Sequence, residues 1–217
     1  MKKLLFVTFF ILASLYAYSQ DAFIDQLTGT VEIKQPKENS FKAAAKGEKI
    51  FQETVISTSF KSFAIVKIGS TTITIRPLTT LSLTEIQKQE EVETLNVNLQ
   101  AGRVRVDVKP PAGAKAAATL TSPSSVASVR GTSFELDTHN LYVKEGAVNF
   151  IGNKGQSVIV RAGENSRVDH SEKVTTPRNE RNINLMPPNP VGVSVVDISA
   201  SGVNTQGKNF SLKLVFN

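Results

Sequence analysis

In the run Val129-Arg130-Gly131-Thr132-Ser133-Phe134-Glu135-Leu136 the apolar residues pass from odd to even positions between Val129 and Phe134. Side chains of a β-strand change face at every residue, so a strand with this parity slip keeps one apolar face only if it holds an extra residue. Gly131 can adopt the backbone angles of a bulge, which predicts one bulged strand. A second run, Val143-Lys144-Glu145-Gly146-Ala147-Val148, follows as a hairpin. Arg130 and Glu145, of opposite charge, are expected to pair across the sheet and hold the bulge in place.

The same short alternation fills residues 21 to 170, and no stretch keeps a 3.6-residue apolar period for three turns, which predicts an all-β domain. Thr30 to Ile33, Ile50 to Ile56, Ile73 to Ile75, Leu81 to Leu83, Leu95 to Leu99 and Val104 to Val108 read as strands. Phe63 to Ile68 is apolar on both parities and reads as a strand buried on both faces. Gly29, Gly102 and Gly146 each stand two residues before a valine that opens an alternating run, so one strand-entry device is reused as the sheet coils on itself. The expected architecture is a coiled, solenoid-like antiparallel β domain. Lys109 to Ala118, with Pro110, Pro111 and several alanines, reads as a loop.

Both ends differ from this texture. Lys2 and Lys3 precede an uncharged run from Leu4 to Ser19, and Ala17-Tyr18-Ser19 offers a small-x-small cleavage site, so residues 1 to 19 read as a secretory signal peptide. Its apolar core of about 15 residues is short of the roughly 20 needed to span a bilayer. Residues 20 to 170 then form the β domain, and 171 to 190, with Pro177, Pro187, Pro188 and Pro190, an extended linker. Residues 191 to 217 read as a β-hairpin of two strands, Val191 to Ile198 and Phe210 to Phe216, with Ser201-Gly202 in the connection. Leu212, Leu214 and Phe216 form an apolar stripe that needs a cover, expected to be the β domain of the same chain.

Composition narrows the chemistry. The chain has no cysteine, which excludes disulfides and thiol catalysis, and no tryptophan, which argues against an aromatic platform for sugars or bases. A formal charge of +6, scattered among acids and partly owed to Lys2 and Lys3, gives a nucleic-acid role little support. Arg103, Arg105 and Lys109 share the outer face of one strand with Asp107 and offer contact to an anionic surface or simply a wet face. Glu85 to Glu93 lacks the spaced Asp, Asn and Gly of a cation loop and reads as a solvated hairpin tip. His139 and His170 are isolated in polar turns, so neither a zinc site nor a serine triad is expected. No enzymatic activity, metal or cofactor is expected.

Taken together, Val129-Arg130-Gly131-Thr132-x-Phe134 and Val143-x-Glu145-Gly146-x-Val148 resemble the closing motifs of the FecR-type domain, a bacterial envelope module. Gly29-Thr30-Val31, Gly47-Glu48-Lys49-Ile50, Val55 to Thr58, Ser62 to Val66, Ser122-Pro123, Ala127 and Gly163 fall where that family has its earlier signatures. Glu48 replaces the usual Asp, and Ile68-Gly69-Ser70 replaces the usual Asp-Gly-Ser turn. The resemblance covers about Leu27 to Val168. It implies a structural signature in Arg130, Gly131, Thr132, Phe134, Glu145 and Gly146 and a module that makes protein or envelope contacts. In the best-known members the domain is the periplasmic half of a membrane regulator that relays receptor occupancy to a sigma factor. The expectation here is a non-enzymatic periplasmic or outer-membrane-peripheral protein, with Arg103, Arg105, Lys109, Leu212, Leu214 and Phe216 as candidate contacts to an envelope protein or cell-wall polymer. The alternative is a glycan-binding or glycan-cleaving protein. Partner identity and oligomeric state are left open.

Overall fold

The computed structural model describes residues 22–89, 92–110, 112–113, 115–177, 200–203 and 209–212. In chain order the strands of the first unit are β1 (Ala22–Thr28), β2 (Val31–Lys34), β3 (Lys42–Ala43), β4 (Val55–Thr58), β5 (Phe63–Ile68), β6 (Thr71–Ile75), β7 (Thr79–Gln89) and β8 (Val92–Ala101). They continue with β9 (Arg103–Val108), β10 (Lys115–Thr121), β11 (Ser125–Arg130), β12 (Ser133–Asp137), β13 (Asn140–Glu145), β14 (Ala147–Gly152), β15 (Ser157–Arg161) and β16 (Asn165–Arg167). They form two open sheets. The first runs β1-β5-β6-β9-β12-β13-β16 and the second β15-β14-β11-β10-β8-β7-β4-β2-β3.

Alternation builds the core. Every second residue of a strand points inward, and one apolar cluster draws on both sheets: Val66, Ile73, Val106, Phe134 and Val143 from the first, Ile33, Leu83, Val97, Leu120 and Phe150 from the second. The outward residues between them are mostly polar. Phe63 to Ile68 departs from its expectation, because only Ala64, Val66 and Ile68 are buried, Phe63 and Ile65 are half-buried and Lys67 is exposed. Apolar residues on its outer face gain cover from neighbouring strands without a third layer. Ile50 is buried but precedes the strand, which starts at Val55.

The parity slip at Gly131 has a different cause from a bulge. β11 ends at Arg130 in the second sheet and β12 begins at Ser133 in the first, so the chain crosses from one layer to the other. At this crossing the inward-facing positions pass from odd, at Ala127 and Val129, to even, at Phe134 and Leu136. A bulge does occur, on β13: Ser133 pairs with Glu145 and Phe134 with Val143, leaving Lys144 as the extra residue.

Two further expectations are corrected. The sheets are not wholly antiparallel, since β10 lies parallel to β8 from Lys115↔Val92 to Thr121↔Asn98. The intervening β9 belongs to the other sheet and serves as the crossover that parallel neighbours require. The alanine-rich stretch is strand from Lys115 onward, with Ala116, Ala118 and Leu120 buried. Alanine has low β propensity, but a central strand is held by its two neighbours and by burial.

The first unit continues past the expected boundary at residue 170: Val168 bridges Val174, and the Thr175 N–H donates to the Arg167 carbonyl at 2.8 Å. A second unit begins at Asn182. There β17 (Ala200–Val203) pairs antiparallel with β18 (Asn209–Leu212), so Ser201 and Gly202 lie within a strand rather than in the connection. Val191 to Ile198, Leu214 and Phe216 lie outside the described residues. Among the described residues no helix is long and apolar enough to cross a membrane.

Candidate functional site

The signature residues build the corners where the chain changes sheet. At the β13 to β14 crossing, Gly146 has φ +82°, and a Cβ there would lie 2.9 Å from Thr132 Oγ1. Thr132, 2% exposed, donates its hydroxyl to the Ala147 carbonyl at 3.1 Å, and its own carbonyl accepts the Val108 N–H at 2.9 Å. The two earlier glycines of the repeated strand-entry pattern stand at the same kind of corner. Gly102 (φ +89°) packs against Thr79, whose Oγ1 accepts the Arg103 N–H at 3.0 Å. Gly29 packs against Ser62, whose Oγ accepts the Thr30 N–H at 2.8 Å. Each corner therefore pairs a glycine with a hydroxyl residue on the adjacent crossing. The hydroxyl satisfies a backbone group that would otherwise lose its partner as the ladder ends.

Arg130 and Glu145 do not pair. Both are exposed, and no ion pair between them is found among the described residues. The layer change explains this, since Arg130 ends a strand of the second sheet while Glu145 ends a strand of the first. Arg130→Ala and Glu145→Ala are each expected to change stability by less than about 0.5 kcal/mol. Urea unfolding of the two singles and the double should show simple additivity; a coupling above about 1 kcal/mol would restore the pair.

The outer face of the first sheet carries a run of ion pairs. Arg76 bonds Glu135 at 3.1 Å, Arg103 bonds Asp137 at 2.9 Å, Arg105 holds Asp107 at 3.1 Å and Lys67 reaches Asp25 at 3.1 Å. Two predicted contact residues, Arg103 and Arg105, are thus matched by acids of this chain, while Lys109 is exposed. Arg76, Leu78, Arg103, Glu135, Asp137 and His139 line an open depression of about 620 Å³ at one end of this face. Burial opposes ionisation of Asp137, but the N–H groups of His139 and Asn140, the Arg103 guanidinium and the Asn140 amide outweigh it and hold its carboxyl below the ordinary value. Asp107 is likewise lowered: Arg105 and the Ser133 hydroxyl, which donates at 2.5 Å, outweigh burial.

A carboxyl with a folded pKa below its unfolded one contributes stability at pH values above the unfolded pKa, about 4, and loses it as pH falls through the folded value. Asp137→Asn should therefore lower the urea midpoint at pH 7 and have a much smaller effect near pH 2. Equal losses at both pH values would show that ionisation of Asp137 is not what stabilises the turn.

Residues 54–149, from just before β4 into β14, match the sequence model of the family described as FecR protein. The chain contains a FecR-type domain. Among solved structures it is similar to two crystal structures, at 1.65 Å and 2.50 Å, of a candidate anti-sigma factor from Parabacteroides distasonis ATCC 8503. Each is 15% identical, with TM-scores of 0.46 and 0.44, and the alignments cover 56% of this chain and 57% of theirs. This chain thus spans little more than half the length of those proteins. No curated protein sequence matches it.

A second depression, of about 340 Å³, is lined by His139 and Asn140, within the matched residues, and by Arg167, Val168, Asp169 and His170, beyond them. The two histidines stand far apart in the sequence, and the fold brings them to one place. The available signal is local: each histidine closely follows an aspartate, Asp137 at the end of β12 and Asp169 just past β16. Asp169 is committed to its turn, accepting the Ser171 N–H at 2.8 Å and the Lys173 N–H at 3.0 Å. His139 Nδ1 lies 2.9 Å from Thr138 Oγ1. Among the described residues no group of three or more His, Cys, Asp or Glu side chains is placed to hold a metal ion. Of the predicted C-terminal contacts only Leu212, in β18, falls within the described residues.

Proposed function

We propose that this chain is a non-enzymatic exported envelope protein whose FecR-type domain makes contacts with other envelope proteins, in signalling or in envelope organisation. The family match over residues 54–149 carries this reading. Its signature residues serve as corner and core: Gly131, Thr132 and Gly146 form the crossings and Phe134 is fully buried. The charges of the outer face are matched in pairs, an arrangement suited to a stable contact surface rather than to proton transfer. Repeated passage between two sheets supports the coiled, solenoid-like description. Export rests on Lys2, Lys3 and the apolar run after them.

A second reading, binding of a neutral glycan, is favoured by the outer face of the second sheet. Asn96, Thr119, Ser128 and Asn149 lie side by side across four strands, and Asn98 and Thr121 stand in the neighbouring row. The two readings separate in one experiment. A photo-crosslinking residue at Leu78 or Tyr142, 63% and 45% exposed, should give a discrete protein adduct in the envelope of the producing cell. No adduct, together with retention of the purified chain on envelope polysaccharide, would replace the protein-contact reading with the glycan one.

A further inference from the structure

Four strands end the two sheets, and three of them are blunted. β1 is covered over its first half, where the Ile24 N–H donates to the Glu48 carbonyl at 3.0 Å and the Ile50 N–H to the Ala22 carbonyl at 2.8 Å, and it is bulged between Ile24 and Gln26. β16 is covered by Val174 and Thr175. β3 has only two residues, one of them a lysine. These are the usual devices that keep a sheet edge from pairing with another chain. β15, Ser157-Val158-Ile159-Val160-Arg161, has none of them over its first four residues, and Ile159 is 54% exposed.

The unused groups on this edge can be assigned. In an antiparallel ladder alternate residues direct both backbone polar groups to one neighbour and then to the other. Arg161 turns away from β14: its N–H donates to Glu164 Oε2 at 3.0 Å and its carbonyl accepts the Glu164 N–H at 2.9 Å. By alternation Ile159 and Ser157 also face outward, while Val158 and Val160 bond to β14, consistent with the Gly152 N–H donating to the Gln156 carbonyl. The open edge therefore consists of the N–H and C=O groups of Ser157 and Ile159, which have no partner among the described residues.

We propose that β15 pairs antiparallel with β15 of a second copy of this chain, with the two-fold axis passing at Val158. That register sets Ser157 against Ile159 twice, so all four open groups of each copy are used in four hydrogen bonds and the Arg161 to Glu164 turn stays intact. It brings Val158 against Val158 and Gln156 against Val160, and Gln156 to Val160 carries no charge, so no like charges oppose each other. The contact is isologous and closes after two copies. With only four edge bonds the dimer is weak and concentration-dependent.

The test uses the mature full-length chain. Sedimentation over a concentration series should show reversible dimerisation. Proline at 159 removes a donor that the β14 ladder does not use, so Ile159→Pro should keep the fold and weaken the dimer by about tenfold or more. The chain has no cysteine, so Val158→Cys supplies a lone thiol at the axis. A non-hydrogen-bonded antiparallel pair stands about 4.5 Å apart between Cα atoms, within disulfide reach. Under mild oxidation Val158→Cys, although half-buried, should give a disulfide-linked dimer far faster than Asn149→Cys, which is exposed but lies one strand inward. A chain that stays monomeric throughout, as it would if a strand of the same chain or of another protein covered β15, overturns the proposal. So does crosslinking at Val158→Cys no faster than at Asn149→Cys, a readout that stands even if the proline variant misfolds.

Discussion

Gly102→Ala is expected to lower the stability of the first unit by about 2–5 kcal/mol, the effect of a left-handed backbone and of an atom with no room added together. At φ +89° an L side chain is strained, and its Cβ would lie 2.3 Å from Thr79 Oγ1 and 2.5 Å from Thr79 Cα. Because Thr79 Cα is backbone, relief requires the β6 to β7 crossing to move, which disturbs the Thr79 hydroxyl bonds to the N–H and carbonyl of Arg103. Gly155→Ala is the matching control, since Gly155 has φ +79° but nothing within 4 Å of the added Cβ. It should lose only the strain, about 1–2 kcal/mol. Urea midpoints of the two variants decide the matter; equal losses would mean that the close approach at the corner carries no energy.

Phe134→Ala should cost about 3–5 kcal/mol, through lost burial and the cavity left in a core that draws on both sheets. Phe134 is fully buried and is flanked in the ladder by Val106 and Val143, both also fully buried. Tyr142→Ala, on the outward side of the adjacent strand and 45% exposed, should cost far less. A Phe134→Ala loss below about 1 kcal/mol would show that this part of the core collapses freely around the gap.

Much of the fold is legible in the alternation. Ile73 to Ile75, Leu81 to Leu83, Leu95 to Leu99 and Val104 to Val108 present their inward residues as expected. What alternation does not record is which sheet a strand joins. At Gly131 a change of layer and a bulge leave the same mark on parity, and only pairing partners tell them apart. The parallel seam of β8 and β10 is hidden for a similar reason, since strand patterns do not encode direction. Lys115 to Thr121 was obscured by alanine, whose place in the core is set by its neighbours rather than by propensity.

The surface was less legible than the core. Arg103 and Arg105 were recognised as outward, but their acids are settled by tertiary pairing: Asp137 lies on β12, which the fold sets beside β9. Arg130 and Glu145 show the converse, opposite charges close in sequence that the layer change separates.

The order of strands divides the first unit cleanly in sequence. β1 to β9 occupy one side of both sheets and β10 to β16 the other, joined where β8 meets β10 and β9 meets β12. A chain delivered from its N-terminus thus completes the first nine strands while β8, ten residues long, and β9 still lack their outer neighbours. Until roughly thirty more residues bring β10 and β12, the half-made molecule displays two apolar-backed templates side by side, and holdase chaperones would find their strongest claim on it in that interval. The same division makes the segment from Lys109 to Ala114 the natural place to cut the polypeptide into two fragments that reassemble.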